Sequence, residues 1–214
     1  MSIQQAYNSW AVQYDTNDNK TRDLEAGVLR EVLSGIPFST CLEIGCGTGK
    51  NTVWLAEKTN GCVTAVDFSE AMLAKAREKV TSFGVSFYQA DILEPWTFRE
   101  RLYELVTFSL VLEHIEQLQP VLKKASESLH PGGHVYIGEL HPFKQYAGSK
   151  ARFDTAEGRQ VVQCYTHHIS DFTKAAQACG LSVVFIEEYF DENNRADIPR
   201  VIAIVLRKEA EVEE

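Results

Sequence analysis

Apolar positions along the chain recur first at helical spacing and then in short strand-like runs. In DNKTRDLEAGVLREVLSGI, Leu24, Val28, Leu29, Val32 and Leu33 fall on one face of a helix. Thr21 is the expected N-cap, since its hydroxyl can accept a free backbone N–H, and Gly35 and Pro37 mark the end. The segment before it carries Tyr7, Trp10 and Tyr14 and is only weakly periodic. From residue 38 onward, TCLEIG, CVTAVD, VSFYQAD, YELVTFSLVL and HVYIGEL read as strands. Between them KNTVWLAEKT, SEAMLAKAREKV and QPVLKKASESL read as helices. Ser69 is the expected cap of the second of these. Glu70 then sits at the positive end of its dipole, and Met72, Leu73, Ala76 and Val80 form its apolar face. HPGG, residues 130–133, reads as a turn into the fifth strand.

Strands alternating with helices at this pace predict a parallel sheet with right-handed crossovers. After Leu140 the pattern breaks into a long mixed stretch, residues 141–168. It resumes as a helix, ISDFTKAAQACG, and two strands joined by the polar loop DENNRADI. A hairpin there makes the last strand antiparallel. The expected fold is α/β: a Rossmann-like seven-stranded, mostly parallel sheet with helices on both faces. One domain is expected over 1–214, with an N-terminal helical lid (1–36), a binding core (38–140), a lid insertion (141–168) and a C-terminal helix with two strands (169–207). The tail KEAEVEE is acidic and expected to fray.

Composition changes this picture little. The chain has 214 residues, enough for one α/β domain with a substantial core. A formal net charge of −9 with scattered basic residues argues against nucleic acid or an anionic membrane surface as partner. No apolar stretch suits a membrane span, and MSIQQAYNSW has neither the basic start nor the apolar core of a secretory signal. Five cysteines without regular spacing fit a reduced, cytoplasmic protein, and Cys41, Cys46 and Cys62 fall in or beside strands as small hydrophobes. Six histidines without paired spacing, and no C-x-x-C pair, give no reason to expect a metal.

The candidate chemistry centres on CLEIGCGTGKNT, where Gly45, Gly47 and Gly49 alternate. A triphosphate loop needs Gly at position 44 and a hydroxyl at 51, but Ile44 and Asn51 stand there. The dinucleotide fingerprint needs a third Gly where Lys50 stands. Close backbone approach to a ligand is still implied, because missing Cβ atoms make room for it. Glu43 beside the loop suits a ligand with positive charge rather than a pyrophosphate.

LEIGCGTG resembles the first motif of the class I S-adenosylmethionine-dependent methyltransferases, whose cofactor carries an amino group and a sulfonium and no phosphate. Other landmarks follow in order. Asp67 ends the second strand, where an acid accepts ribose hydroxyls. Phe68 and Met72 follow, Asp91 and Ile92 come after the third strand, FSLVLEHI lies at the fourth motif, and LHPGGHVYI leads into the fifth strand. The resemblance spans about residues 38–140 and implies S-adenosyl-L-methionine as cofactor. The residues it implies for binding are Tyr14, Glu43, Gly45, Cys46, Gly47, Gly49, Asp67, Phe68, Met72, Asp91, Ile92 and Ser109. Tyr103-Glu104 departs from the family's usual Phe-Asp. Ser109-Leu110-Val111 supports neither the metal-dependent nor the DNA-methylating subtypes.

Methyl transfer from a sulfonium asks the protein to align the partners and exclude water, with a base only for a protonated nucleophile. Glu139 and His141 follow the fifth strand, and His167 and His168 precede the next helix. His168 and His141 are the expected base or substrate anchor, against the alternative that each merely hydrogen-bonds within the lid. His114 is expected as a cap or core hydrogen-bonding partner, and His130 and His134 as structural or exposed. Tyr14 is either a cofactor lid or a hydrophobic staple, and Arg22 a contact to a substrate acid or to the cofactor's carboxylate, or a surface salt bridge. Phe143, Tyr146, Phe153 and Tyr165, with Lys144, Lys150, Arg152 and Arg159, give the insertion an aromatic and basic character that fits an acidic or flat acceptor. Asp154 and Glu157 favour a solvated loop instead. The expected activity is O-methylation of a small molecule, similar to quinone- and biotin-pathway methyltransferases. A non-catalytic cofactor-binding subunit and a nicotinamide-dependent oxidoreductase are the alternatives.

Overall fold

The computed structural model describes residues 2–155 and 158–209. Its main sheet has the order β3-β2-β1-β4-β5-β9-β8. The strands are β1 Cys41–Ile44, β2 Val63–Asp67, β3 Val85–Gln89, β4 Tyr103–Ser109, β5 Leu129–Leu140, β8 Leu181–Tyr189 and β9 Val201–Lys208. β1 pairs in parallel with both β2 and β4, so chain direction across the sheet reverses at β1. β9 runs antiparallel between β5 and β8. The expected seven-stranded sheet with an antiparallel last strand is the observed one. Among the described residues no helix is long and apolar enough to cross a membrane.

Alternating side chains bury both faces. Leu42, Ile44, Val66 and Phe108 meet α5 (Leu118–Glu127) and α7 (Ile169–Ala178) on one face through Val121, Leu122, Phe172 and Ala176. Cys41, Ala65 and Leu105 meet α2 (Lys20–Ser34), α3 (Lys50–Lys58) and α4 (Glu70–Lys79) on the other. Such two-sided burial is why these strands read as near-continuous apolar runs. A third cluster joins α1 (Ile3–Trp10) to the insertion: Ala6 and Trp10 pack with Met72, Phe153 and Val162.

Two local expectations are corrected. Asn19, not Thr21, caps α2: extended at φ −140°, it accepts Arg22 N–H at 3.0 Å. Thr21 lies in the first turn, where its hydroxyl accepts from Arg200. HPGG does not precede β5 but lies inside it. Leu129 pairs with Tyr103 and His134 with Leu105, so residues 130–133 are a bulge in a continuing strand. Within the insertion, α6 (Pro142–Tyr146) is followed by a hairpin of β6 (Arg152–Thr155) and β7 (Gly158–Val161). Glu157 and, from residue 210, the acidic tail lie outside the described residues.

Candidate cofactor and acceptor site

The C-terminal ends of β1, β2 and β4 open on a cavity of about 390 Å³ beside the reversal point, the place where open α/β sheets bind ligands. Gly45 and Gly47 form its floor, and Asp67, Phe68, Asp91 and Ile92 one wall. Ser109, Leu110 and Val111 line the other, while Tyr7 and Tyr14 cover it. Among the described residues lining it there is no Lys or Arg.

Asp67 organises the loop. One carboxylate oxygen accepts Gly47 N–H at 2.8 Å and the other Ser69 N–H at 2.8 Å. Burial pushes its pKa up to about 6, against backbone N–H donors that pull it down. Two of the three glycines have separate tasks. Gly47, at φ +54°, has nothing within 4 Å of where a Cβ would stand, so its lack of a side chain keeps cavity volume. Gly49, at φ +80°, does not line the cavity; a Cβ there would meet Ala76 and Val80 at 3.1 Å, so it sets the packing of α3 on α4.

The structure sorts the remaining expected residues. Tyr14, Asp67, Phe68, Asp91, Ile92 and Ser109 line the cavity with Gly45 and Gly47. Glu43, Cys46 and Met72 are buried behind it. Glu43 accepts Thr52 Oγ1 at 2.6 Å, and burial pushes its pKa up to about 8. Met72 packs under Trp10. Arg22 does not line the cavity and pairs with the exposed Asp23 at 3.8 Å. It is buried, donates to the carbonyls of Tyr14 and Asn17, and lies over the Tyr14 ring at 4.8 Å. It thereby fixes the lid segment between α1 and α2.

Both histidines expected to act as base lie elsewhere. His141 is fully buried; its Nδ1 accepts Phe143 N–H at 3.1 Å, so Nε2 carries the proton and donates to Glu188 at 2.9 Å. Nδ1 caps α6 and Nε2 ties it to β8, so both nitrogens are engaged. Burial lowers its pKa, with Glu188 opposing. His168 is exposed at the start of α7 beside Tyr146 and lines neither cavity described here. Glu139 is buried and accepts the N–H groups of Val111 and Leu112 at 2.9 and 2.7 Å, which shapes the turn after β4.

The histidine in the cavity is His114, which sequence reasoning treated as structural. Its Nδ1 is 2.8 Å from the Gln163 carbonyl, which can only accept, so Nδ1 carries the proton. Nε2 is then an acceptor, and Tyr7 donates to it at 2.7 Å. Burial raises the Tyr7 pKa well above its usual value, which keeps the phenol protonated. Residues 7 and 114 are 107 positions apart, and only docking of α1 over the sheet edge joins them. His114, Glu113 and Cys164 also present ligand-type atoms within 4.8 Å of one another. Their spacing in sequence gave no sign of this cluster. Leu110, on the wall with Ser109 and Val111, is held at φ +57°, a conformation uncommon for a residue other than glycine.

A family profile described as "Methyltransferase domain" matches residues 41–133. The chain is 27% identical over 169 residues to a malonyl-[acyl-carrier protein] O-methyltransferase of Priestia megaterium, covering 77% of this chain and 56% of that protein. It is 26% identical over 171 residues to a ubiquinone biosynthesis O-methyltransferase of Coxiella burnetii, covering 76% and 73%. In fold it is similar to the N-methyltransferase NodS of Bradyrhizobium japonicum, solved with S-adenosyl-L-homocysteine. The TM-score is 0.72 at 19% identity, covering 97% of this chain and 99% of that one.

Proposed function

We infer that the chain is a class I S-adenosylmethionine-dependent methyltransferase, as its similarity to such enzymes supports, and from that premise we propose that it transfers a methyl group from this cofactor to a hydroxyl of a small molecule. The observation that carries the reading is the chemistry of the cavity lining: two carboxylates, Asp67 and Asp91, and no Lys or Arg among its described residues. A pyrophosphate would find no cationic partner there, whereas an adenosyl group with a cationic sulfonium finds acceptors and no repulsion. The glycine floor and the half-exposed Phe68 ring suit the adenosine part.

When bound, S-adenosylmethionine supplies an electrophilic methyl group with a good leaving group. Asp67 would hold the ribose hydroxyls, and Asp91 the polar edge of the base. Tyr14, steadied by Arg22, covers the site and keeps water out. Tyr7 is the residue best placed to meet the nucleophile. Its oxygen keeps free lone pairs while its proton points at His114 Nε2. A hydroxyl that donates to Tyr7 can pass its proton along the pair to the imidazole, which is general-base catalysis by relay.

Calorimetric titration with S-adenosylmethionine, S-adenosylhomocysteine, NAD and ATP tests the premise. Micromolar binding of the first two only is expected, and preference for NAD or ATP would overturn it. Release of S-adenosylhomocysteine with a panel of small hydroxylated acceptors then separates an enzyme from a silent binding subunit.

A further inference from the structure

A second cavity of about 300 Å³ lies beyond the cofactor cavity and shares Tyr7, Tyr14 and Leu110 with it as a common wall. We propose that this cavity is the acceptor pocket and that it selects a small molecule bearing an anionic group, a carboxylate or a phosphate. The proposal rests on the methyl-transfer reading above and names the substrate class for it.

Three observations converge. The first is charge. Lys20, Lys150 and Arg152 line the cavity, and among the described residues none of them has an ion-pair partner. Arg200 also lines it, but its guanidinium is taken up by Asp191 from two directions. The second is the end of α2, whose first residues Lys20 and Thr21 face the cavity. A lysine at the first position of a helix opposes the dipole, and both add positive potential at one place. Asp23, the acid of that turn, is engaged by Lys50 instead. The third is an orphaned polar atom: Trp10 Nε1 is buried, belongs to a residue lining this cavity, and has no protein partner. A buried donor without a partner costs stability unless a ligand or water satisfies it. Trp10 can donate only, so it asks for an acceptor oxygen.

Two acids belong to the same lining. Asp18 is exposed at the rim. Glu113 is buried, and burial pushes its carboxyl up while His114 and hydrogen bonds from Cys164 and Gln145 pull it down. The reacting hydroxyl then faces the shared wall at Tyr7, and the anionic group lies towards Lys20, Lys150 and Arg152. The anion is recognised and not itself transformed.

The test titrates benzoate, phenyl phosphate and benzamide into protein saturated with S-adenosylhomocysteine. Both anions, or one of them, are expected to bind at least ~10-fold more tightly than benzamide, with affinity falling as salt rises. The combined K20A/K150A/R152A variant alters exposed side chains only. It should lose about 10-fold or more in anion affinity and keep its affinity for S-adenosylhomocysteine. The indole N–H resonance of Trp10, assigned by Trp10→Phe, should shift on anion addition and locate the site. Benzoate alone or phenyl phosphate alone as ligand identifies the group. Equal binding of benzamide, no anion binding at millimolar concentration, or an unaffected triple variant overturns the proposal. Failure of S-adenosylhomocysteine to bind is a separate loss in the same titration and overturns the methyl-transfer reading instead.

Discussion

At the residue scale, the cavity assigns different costs to neighbouring side chains. Asp67→Asn keeps the shape and the backbone contacts in part but removes the charge, so cofactor affinity should fall by about 10- to 100-fold in a calorimetric titration. Tyr7→Phe removes one oxygen. Cofactor affinity should stay within about twofold while turnover drops about 100-fold, measured as S-adenosylhomocysteine release under single-turnover conditions. Equal loss in both would mean that Tyr7 only closes the lid. Gly47 and Gly49 separate in the same way. Gly47→Ala meets no atom within 4 Å but forces alanine to φ +54°, so a modest stability loss of about 1 kcal/mol should accompany weakened cofactor binding. Gly49→Ala adds a clash with Ala76 and Val80 at 3.1 Å. It should cost about 2–4 kcal/mol and lower Tm by roughly 5–12 °C, with little of the effect on cofactor affinity in the molecules that remain folded.

At the element scale, α1 and the segment up to α2 form the cover. Gln4 Nε2 donates to the Phe68 carbonyl at 3.0 Å, and Asn8 Oδ1 accepts from Ser69 Oγ at 2.6 Å, so α1 is hydrogen-bonded to the start of α4. Trp10 stacks on Phe153 of the inserted hairpin at 5.1 Å. Helix α1 and the inserted hairpin are thus held through each other. Asn19→Ala removes the α2 cap and with it the anchor of the segment gripped by Arg22. A stability loss of about 1 kcal/mol is expected, read as a Tm decrease of about 2–4 °C. The loss should be larger near the lid, visible as faster hydrogen exchange of residues 11–19.

At the scale of the whole molecule, acids dominate the sheet edge. Asp67, Glu25 and Glu43 have pKa values pushed up to about 6, 7 and 8 by burial. The folded chain therefore holds protons that the unfolded chain has released between about pH 4 and pH 8. Stability is greatest at the low end of that window and falls as pH rises through the folded pKa values. Asp15 and Asp191, whose pKa values are lowered, lose their contribution only as pH falls further. The Tm of the ligand-free protein should drop by roughly 5 °C or more between pH 5.5 and 8.5. A cationic ligand should reduce that drop and release protons on binding, detected as a binding enthalpy that varies with the buffer's ionisation enthalpy. A flat Tm across this range would mean the three carboxyls are already solvated or paired.

By itself the sequence determined the strands, their helices and the glycine loop. Those depend on local periodicity and on residue types such as glycine and aspartate, whose effects act within a few positions. Asp67 at the end of β2 and Asp91 after β3 were legible for the same reason: a strand end fixes where its last side chain stands. Only the tertiary structure decided that His141 is spent on Glu188 and Phe143 while His114 meets Tyr7. A histidine's role depends on what both ring nitrogens touch, and those partners come from elements far apart in the chain. The hairpin of the insertion and the second cavity were hidden likewise. They arise where α1, α2 and residues 149–152 meet, and no periodicity in any one segment records that meeting.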